Sequence, residues 1–568
     1  MKKEADATGG IGRFINAIGF ILLGVCFLYS LVRVLSTRLG ETSDGRIVVR
    51  FAHPQLESGL REAFDVIAGH YEAEQRRRGK EVDIIQMPIP ERIYGSWIKT
   101  QLIGGTAPEI IMTKGGGDSV TESMIARYFY ALGGELEEPN EYNAGTSLEG
   151  VPWRETFIGQ LERDSAGYRN RLQEFYGIPY SMRTTRIFYN RTLLEKVLEA
   201  GEHSELRLRL GEPIRPKNYV DFVALCEAVR NFADLSGEAL VPIAGSKYNA
   251  PFILERLFES QSQAVVPAID VYNELLHTVI YIRTGFLKRK WTLRDKPIRD
   301  GFQMMREVGR YMQPGFSQLG RQDATFRFAQ ERAAMIATTS ADAPSFRAQI
   351  EGRFEIGAFP VPLPSPSHPR YGPNTKGSIT EAETSPYGPF GIVNFHPVES
   401  RETAIDFLRF LTSMKMSEIF VERTGWLPAI EGIDLPEHVK PFQPVMDGYP
   451  AGFKFTQMGG AELQGIIKSN LYRLWREDGS VDEFLDVIED DLYPALVRDL
   501  RKANKEVTES VRRQDSLVGA NFWLSLYGDA KERDGAKHRQ SMMMSMQQVN
   551  YLGVYRRKAV FREIGIGE

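Results

Sequence analysis

An alternation of short β-branched runs with amphipathic stretches near the start of the chain most constrains the fold. Residues 47–51, 82–86 and 110–112 are rich in Ile and Val and predict three strands. The stretch between the first two carries an apolar stripe at helical spacing, formed by Leu56, Leu60, Phe64, Ile67 and Tyr71. Residues 93–102 predict a second helix. Strands that alternate with helices predict an α/β fold with a parallel sheet and right-handed crossovers.

Ligands of such sheets bind outside the carboxyl ends of the strands. This rule selects His53 and Gln55 after the first strand, and Lys114 and Gly116 after the third. Each has a plainer interpretation, since His53 could hydrogen-bond a turn and Lys114 could be a solvated charge at the rim of a cleft. The glycines at 115–117 lack the spacing of a phosphate loop. They fit a tight turn into a helix or a close backbone approach to a ligand, and the two are compatible.

The first forty residues contain an uncharged apolar run at positions 14–32, bracketed by Arg13 and Arg33. About 20 apolar residues span a bilayer as a helix, so the run predicts a transmembrane anchor. Basic residues before it favour a cytoplasmic N-terminus. Three alternatives are a cleaved signal peptide, a lipoprotein signal at Cys26 and a buried core helix. The run is longer than the usual 7–15 apolar residues of a signal peptide.

Charge and cysteine content exclude several classes of function. The chain has 70 basic and 74 acidic residues, a net charge of −4, which does not predict nucleic-acid binding. Its two cysteines, Cys26 and Cys226, cannot build a zinc cluster, and the position of Cys26 in the apolar run argues against a disulfide between them. The catalytic patterns H-E-x-x-H and G-x-S-x-G are missing from the sequence. We therefore expect that the chain is not an enzyme and that it binds neither a cofactor nor a metal ion. Carboxylate pairs lie on charged helices, where solvation is the simpler interpretation.

Six segments in a fixed order carry a family resemblance. They are LESGLREAFD after the first strand, PERIYGSWIKTQLIGGTAPEII (90–111), YGIPYSMRTTRIFYNRTLLEKV (176–197), QERAAMIATTSAD (330–342), FGIVNFHPVESRETAIDFLRFLTS (390–413) and GWLPAI (425–430). In this order they resemble the extracellular solute-binding proteins of ABC importers, of the sugar-binding type related to maltose-binding protein. The resemblance covers about residues 45–500. It implies an α/β fold of two lobes with mixed and parallel sheets, several hinge crossings and a cleft that closes on its ligand.

The chain departs from this pattern at residues 339–342, which contain no aromatic residue where relatives often stack one on a sugar. Position in the resemblance adds five ligand-binding candidates to the four after the strands. The full set is His53, Gln55, Lys114, Gly116, Arg183, Tyr248, Asn249, Asp342 and Tyr387. Arg183 could instead be a solvated charge, and Tyr248 and Tyr387 could be packing residues.

The expected organisation divides the chain into an anchor, two lobes and an extension. The boundaries are a cytoplasmic N-terminus at 1–13, a transmembrane anchor at 14–35, a linker at 36–45, lobe 1 at 46–178 and 387–424, lobe 2 at 179–386 and 425–500, and a helical C-terminal extension at 501–568. The extension either packs back onto lobe 2 or binds a partner.

The expected function is that of a membrane-tethered receptor of an ABC importer. With its large domain outside the cell membrane, it would capture a carbohydrate-type solute by hinge closure and deliver it to permease subunits. The alternative is a membrane-anchored solute sensor or scaffold without a transport role. A neighbouring permease gene would favour import, and a neighbouring kinase gene would favour sensing.

Overall fold

The computed structural model describes residues 24, 46–55, 59–113, 120, 122–159, 161, 167–169, 174–200, 203–269, 279–381, 386–528 and 530–566. Apart from Gly24, the expected anchor at 14–35 lies outside this part of the chain, as do Lys114 and Gly116. None of the helices in the described ranges has both the length and the apolar character that a membrane crossing requires.

The described strands form four sheets. In chain order the strands are β1 (Ile47–Gln55), β2 (Val82–Pro90), β3 (Ile110–Met112), β4 (Tyr168–Arg169), β5 (Glu174–Phe175), β6 (Ser181–Met182), β7 (Thr185–Asn190), β8 (Val241–Ala244), β9 (Ala333–Thr339), β10 (Ile356–Phe359), β11 (Pro386–Tyr387), β12 (Phe390–Ile392) and β13 (Leu427–Pro428). Two four-stranded sheets form the lobes, a three-stranded sheet joins them, and β4 pairs with β5 alone.

Helices cover both large sheets. In chain order they are α1 (Leu60–Arg77), α2 (Glu91–Gly104), α3 (Glu122–Tyr128), α4 (Gly133–Leu136), α5 (Arg191–Ala200), α6 (Ser204–Leu210), α7 (Tyr219–Ser236), α8 (Ala250–Ser262), α9 (Val266–Ile269), α10 (Val279–Leu287), α11 (Lys296–Gly309), α12 (Arg321–Ala329), α13 (Ala343–Ile350), α14 (Val398–Leu411), α15 (Met414–Thr424), α16 (Ala461–Asn470), α17 (Val481–Tyr527) and α18 (Ala530–Glu563).

Lobe 1 is built on a sheet with the strand order β12–β3–β1–β2. β1 runs parallel to both β2 and β3, while β12 returns antiparallel to β3, so the sheet is mixed. The predicted stripe on α1 is confirmed from Leu60 onward, because Leu60, Phe64, Ile67 and Tyr71 are all buried. Phe64 packs edge-on against Phe51 of β1, with ring centroids 5.5 Å apart. The apolar spacing thus fixes the face of α1 that covers the sheet.

Lobe 2 is built on a sheet with the strand order β10–β7–β9–β8. β9 is antiparallel to β7 and parallel to β8. Its residues from Ala333 to Thr338 are buried on both faces, as expected of a central strand covered by helices. Arg186 of β7 has a fully buried side chain that pairs with Glu381 through two bonds of 3.0 Å each. This ion pair links β7 to the segment that precedes β11.

Three chain crossings meet in the sheet β11–β6–β13, called the hinge sheet below. Tyr387 and Pro428 both lie opposite Ser181, and Pro386 and Leu427 both lie opposite Met182. Both outer strands are antiparallel to β6. Each pairing involves only two residues on a side, so few backbone hydrogen bonds hold the lobes together here.

The last two helices, α17 and α18, form a long antiparallel hairpin that contacts both lobes. Phe484 near the start of α17 and Phe561 near the end of α18 belong to the lobe 2 core. Farther along the hairpin, His538 and Met542 of α18 face Glu174 of lobe 1 across a small gap. The expected extension is therefore helical, and it packs on lobe 2 and also reaches lobe 1. The expected boundary at 500/501 falls inside α17.

The expected end of the first strand is wrong. β1 continues to Gln55, so His53 pairs with Pro88 inside the sheet instead of following the strand. The strand is longer because β2 extends to Pro90 and gives residues 52–55 a partner. Residues 326–335 show helical spacing, but α12 ends at Ala329 and β9 begins at Ala333. Between them Glu331 has a left-handed φ of 60°, which interrupts the helix.

We expect Arg186→Met to destabilise lobe 2 strongly, because it leaves the buried Glu381 carboxylate without its guanidinium partner. Removal of one partner from a buried ion pair costs about 3–5 kcal/mol. Urea unfolding of the full-length chain, followed by circular dichroism, measures this loss. The control is Arg207→Met, because the Arg207–Glu199 pair is solvent-exposed and such pairs contribute about 0–1 kcal/mol. Equal losses in both variants would contradict a structural role for the buried pair.

Candidate functional site

A cavity of about 1050 Å³ opens beside the hinge sheet. Its walls come from the β6–β7 connection, from residues 215–218, from the first turns of α8, and from the proline-rich loop at 360–366. Residues 377–381 and 445–454, together with Tyr387 of β11, complete the lining. Every lining residue belongs to lobe 2 or to the hinge sheet. The volume lies just above the upper end of the range of about 300–1,000 Å³ that is usual for small-molecule sites.

Tyr248 gives the cavity an exposed aromatic face. It lies just before α8, is 40% exposed and packs edge-on against Phe252, with ring centroids 5.4 Å apart. The guanidinium of Arg321 lies 4.9 Å from the ring centroid of Tyr248. Asp342 pairs with Arg321 and accepts a hydrogen bond from Thr338. Asp342 thereby holds Arg321 against Tyr248, so this series of polar contacts positions the aromatic ring.

Arg183 lies at the hinge end of the cavity, stacked on Tyr387. Its guanidinium carbon is 3.4 Å from the centroid of Tyr387 and 5.4 Å from that of Trp426. Both Arg183 and Tyr387 line the cavity. The Nε and Nη2 atoms of Arg183 are buried and have no hydrogen-bond partner among the described residues. A buried donor without a partner costs free energy that a ligand oxygen can recover.

The other sequence-predicted residues do not line the described cavity. His53 is buried in lobe 1, with Nδ1 2.7 Å from the Pro54 carbonyl oxygen and Nε2 2.8 Å from Oε1 of Gln86. Asn249 is also buried, and both polar atoms of its side chain are engaged: its amide nitrogen donates to the Ala337 carbonyl and its Oδ1 accepts from Ser246. Asp342 lies behind the wall. Gln55 is the last residue of β1 and lies opposite Pro90 of β2, and Lys114 and Gly116 lie outside the described residues.

The structure therefore brings together Arg183, Tyr248 and Tyr387 of the nine candidates. It also adds lining residues that the sequence reasoning did not select, chiefly the proline-rich loop and the basic segment Arg215 to Lys217. The four alternating prolines at 360–366 are visible in the sequence, but such a pattern indicates only irregular backbone. Within the described ranges, no cluster of His, Cys, Asp and Glu side chains could hold a metal ion.

Comparison with known proteins places this architecture in a family. The sequence matches the bacterial extracellular solute-binding protein family over residues 74–443, more than half of its 568 residues. The chain belongs to this family. Its members bind solutes, so the chain is a binding protein and not an enzyme. No curated protein matches the chain.

Solved structures share the fold at low sequence identity. The apo form of RafE from Streptococcus pneumoniae is 13% identical, with a TM-score of 0.50, and the match covers 80% of this chain and 99% of that one. The cyclic α-maltosyl-1,6-maltose-binding protein from Arthrobacter globiformis is 14% identical, with the same TM-score and the same two coverages. Both similarities support the two-lobed α/β fold.

We expect the stability of the chain to depend on His53 as the pH falls. Burial lowers the pKa of His53 below its ordinary value of about 6.5. Below that value the unfolded chain binds the proton more readily than the folded chain, so stability is lost as the pH falls further. Urea midpoints measured from about pH 7.5 to about pH 5.5 should fall more steeply for the wild type than for His53→Gln. His70→Gln, which alters an exposed histidine on α1, should behave like the wild type. Identical pH profiles for all three proteins would argue against a buried neutral His53.

Proposed function

We propose that the chain is the membrane-tethered receptor of an importer of the ABC type and captures a carbohydrate in the cavity beside the hinge sheet. The observation that carries this proposal is the cavity itself, which combines an exposed Tyr248 ring with polar side chains. Flat aromatic faces pack against the C–H groups of sugar rings, and polar groups around them bind hydroxyls. A solved structure of the same fold is named as a sugar-binding protein, so sugars are the first ligands to test.

Hinge closure is the proposed capture step. The cavity is lined by lobe 2 and the hinge sheet, and His53 and Gln55 lie in the opposite lobe. A rotation about the short pairings of β6 would bring lobe 1 over the cavity and bury the ligand. In this proposal, lobe 1 residues that follow β1 and β3 complete the site only in the closed form. Lys114 and Gly116 keep their proposed ligand-binding role on this basis.

Tethering and delivery complete the proposal. An anchor at residues 14–32 would confine the receptor to the membrane that holds the permease subunits, and so raise its effective concentration there. The closed receptor would then present both lobes to the permease. Deletion of the gene should reduce uptake of the cognate solute in whole cells.

We expect Tyr248→Ala to weaken sugar binding by about tenfold or more, because truncation of a central aromatic contact costs over about 1 kcal/mol. Isothermal titration calorimetry of the full-length chain, with the sugar that gives the largest shift in a thermal-shift screen, measures this change. The matched control is Tyr472→Ala, which removes a ring of similar exposure, 41% against 40%, that does not line the cavity.

Two outcomes would count against the proposal. If no mono- or oligosaccharide stabilises the chain, the carbohydrate assignment fails, since a cleft ligand must raise the melting temperature by mass action. If Tyr248→Ala and Tyr472→Ala reduce affinity equally, the ligand does not bind in this cavity.

A further inference from the structure

The wall of the cavity carries more positive than negative side chains. Five cationic residues line it, namely Arg183, Arg215, Lys217, Arg256 and Lys454. Three acidic residues line it, namely Glu255, Glu259 and Glu381. Because opposite charges within about 4 Å largely compensate each other, the pairing among these groups decides which charges remain for a ligand.

All three acidic residues are already engaged by basic partners. Glu381 forms the buried ion pair with Arg186 behind the wall. Glu259 pairs with Arg256 at 3.3 Å, and Lys454 lies 3.7 Å from Glu255 and 3.9 Å from Glu259. The pairs account for two of the five lining cations and for every lining carboxylate.

Three cations remain without an acidic partner among the described residues: Arg183, Arg215 and Lys217. The guanidinium of Arg215 and the ammonium of Lys217 are exposed at one side of the cavity, in the segment before α7. Arg183 lies at the hinge end, stacked on Tyr387. The cavity therefore has two separate positive regions, and a neutral or cationic ligand would leave both uncompensated.

The geometry of Arg183 narrows the chemistry of the anion. Its two atoms without a hydrogen-bond partner, Nε and Nη2, lie on the same edge of the guanidinium. This edge presents two parallel N–H donors, the arrangement that matches the two oxygens of a carboxylate. The ring of Tyr387 packs against the guanidinium, whose carbon is 3.4 Å from the ring centroid. Both atoms are buried in this arrangement of the lobes, so a ligand would reach this edge only if movement of the adjacent hinge sheet opened it.

We propose that the cavity binds an acidic oligosaccharide, with a uronate carboxylate paired to Arg183 and further acidic groups directed toward Arg215 and Lys217. This inference rests on the proposed function, since it assumes that the cavity binds a carbohydrate. It specifies the class of that carbohydrate by charge. Tyr248 stacks on a sugar ring, and the unpaired cations select the acidic members.

The test compares charged with uncharged trisaccharides, and each uronate with its own methyl ester isolates the effect of the carboxylate charge. Isothermal titration calorimetry of the full-length chain uses trisaccharides of galacturonate, mannuronate and guluronate, their methyl esters, the neutral maltotriose and xylotriose, and a sulfated trisaccharide. We expect at least one uronate to bind roughly tenfold or more tightly than its methyl ester, because hydrogen bonds to charged groups exceed those to neutral ones. This preference should shrink as the salt concentration rises.

Two substitutions test whether Arg183 causes the preference for the acid over its ester. Arg183→Met should abolish the difference between the acid and its ester, while Arg207→Met, which removes an exposed cation outside the cavity, should preserve it. Circular dichroism and melting temperature report whether Arg183→Met folds. If it does not, Lys217→Met at the exposed side of the cavity replaces it, with a partial loss of the preference expected.

The outcomes separate this inference from the function it rests on. Equal binding of uronates and their esters, or tighter binding of a neutral trisaccharide, overturns the assignment of an acidic ligand. The proposal that the chain binds a sugar is unaffected by that result. Tighter binding of the sulfated trisaccharide overturns the assignment of a carboxylate. Failure of every trisaccharide to bind overturns the proposed function itself.

Discussion

Ser181 and Met182 pair on both sides, with Pro386–Tyr387 on one side and Leu427–Pro428 on the other, and the two lobes meet through this pairing. Each lobe has its own four-stranded sheet and a large hydrophobic core of its own, and a third cluster packs Leu427 of the hinge sheet with Phe188 of lobe 2 and Val421 of α15. A joint of two-residue pairings can rotate at small energetic cost, whereas each four-stranded sheet behaves as a rigid unit. The position of the cavity next to this joint means that any motion of the lobes changes its walls. Tyr387 illustrates this, since it is both a hinge strand residue and a cavity residue.

The architecture could be predicted from the sequence because it depends on periodicity. The stripe on α1 and the buried run of β3 follow from apolar spacing alone. Segment order then indicated two lobes and a hinge. The C-terminal end of β1 was not predictable in this way, because Pro54 lacks a backbone donor and the two prolines of β2, Pro88 and Pro90, are atypical of strands. Their pairing depends on the neighbouring strand, which a local pattern does not contain.

The site was harder to predict than the fold. Arg183, Tyr248 and Tyr387 were selected by their position in the resemblance, and the structure places them on one cavity. His53 was selected by its expected place at the end of a strand and Asn249 by its position in the resemblance, but the polar atoms of both are hydrogen-bonded within the core. Sequence alone does not distinguish a polar side chain that faces a cavity from one that faces its own backbone. The ion pairs that leave three cations available join residues as far apart as Arg186 and Glu381, and such pairings are set by tertiary structure.

The helical hairpin adds a thermodynamic consequence. At the open end of the hairpin, Phe484 and Phe561 pack in the core of lobe 2. Farther along, Met542 lies next to Glu174 of lobe 1. Rotation of the lobes must therefore either carry the hairpin along or break its contact with lobe 1. The turn of the hairpin also carries an exposed aromatic pair, Trp523 and Tyr527, whose stacked ring centroids are 5.4 Å apart. A molecule that binds this turn in only one arrangement of the lobes would change the affinity of the distant cavity for its solute. By reciprocity, solute bound in the cavity would change the affinity of the turn for that molecule by the same factor.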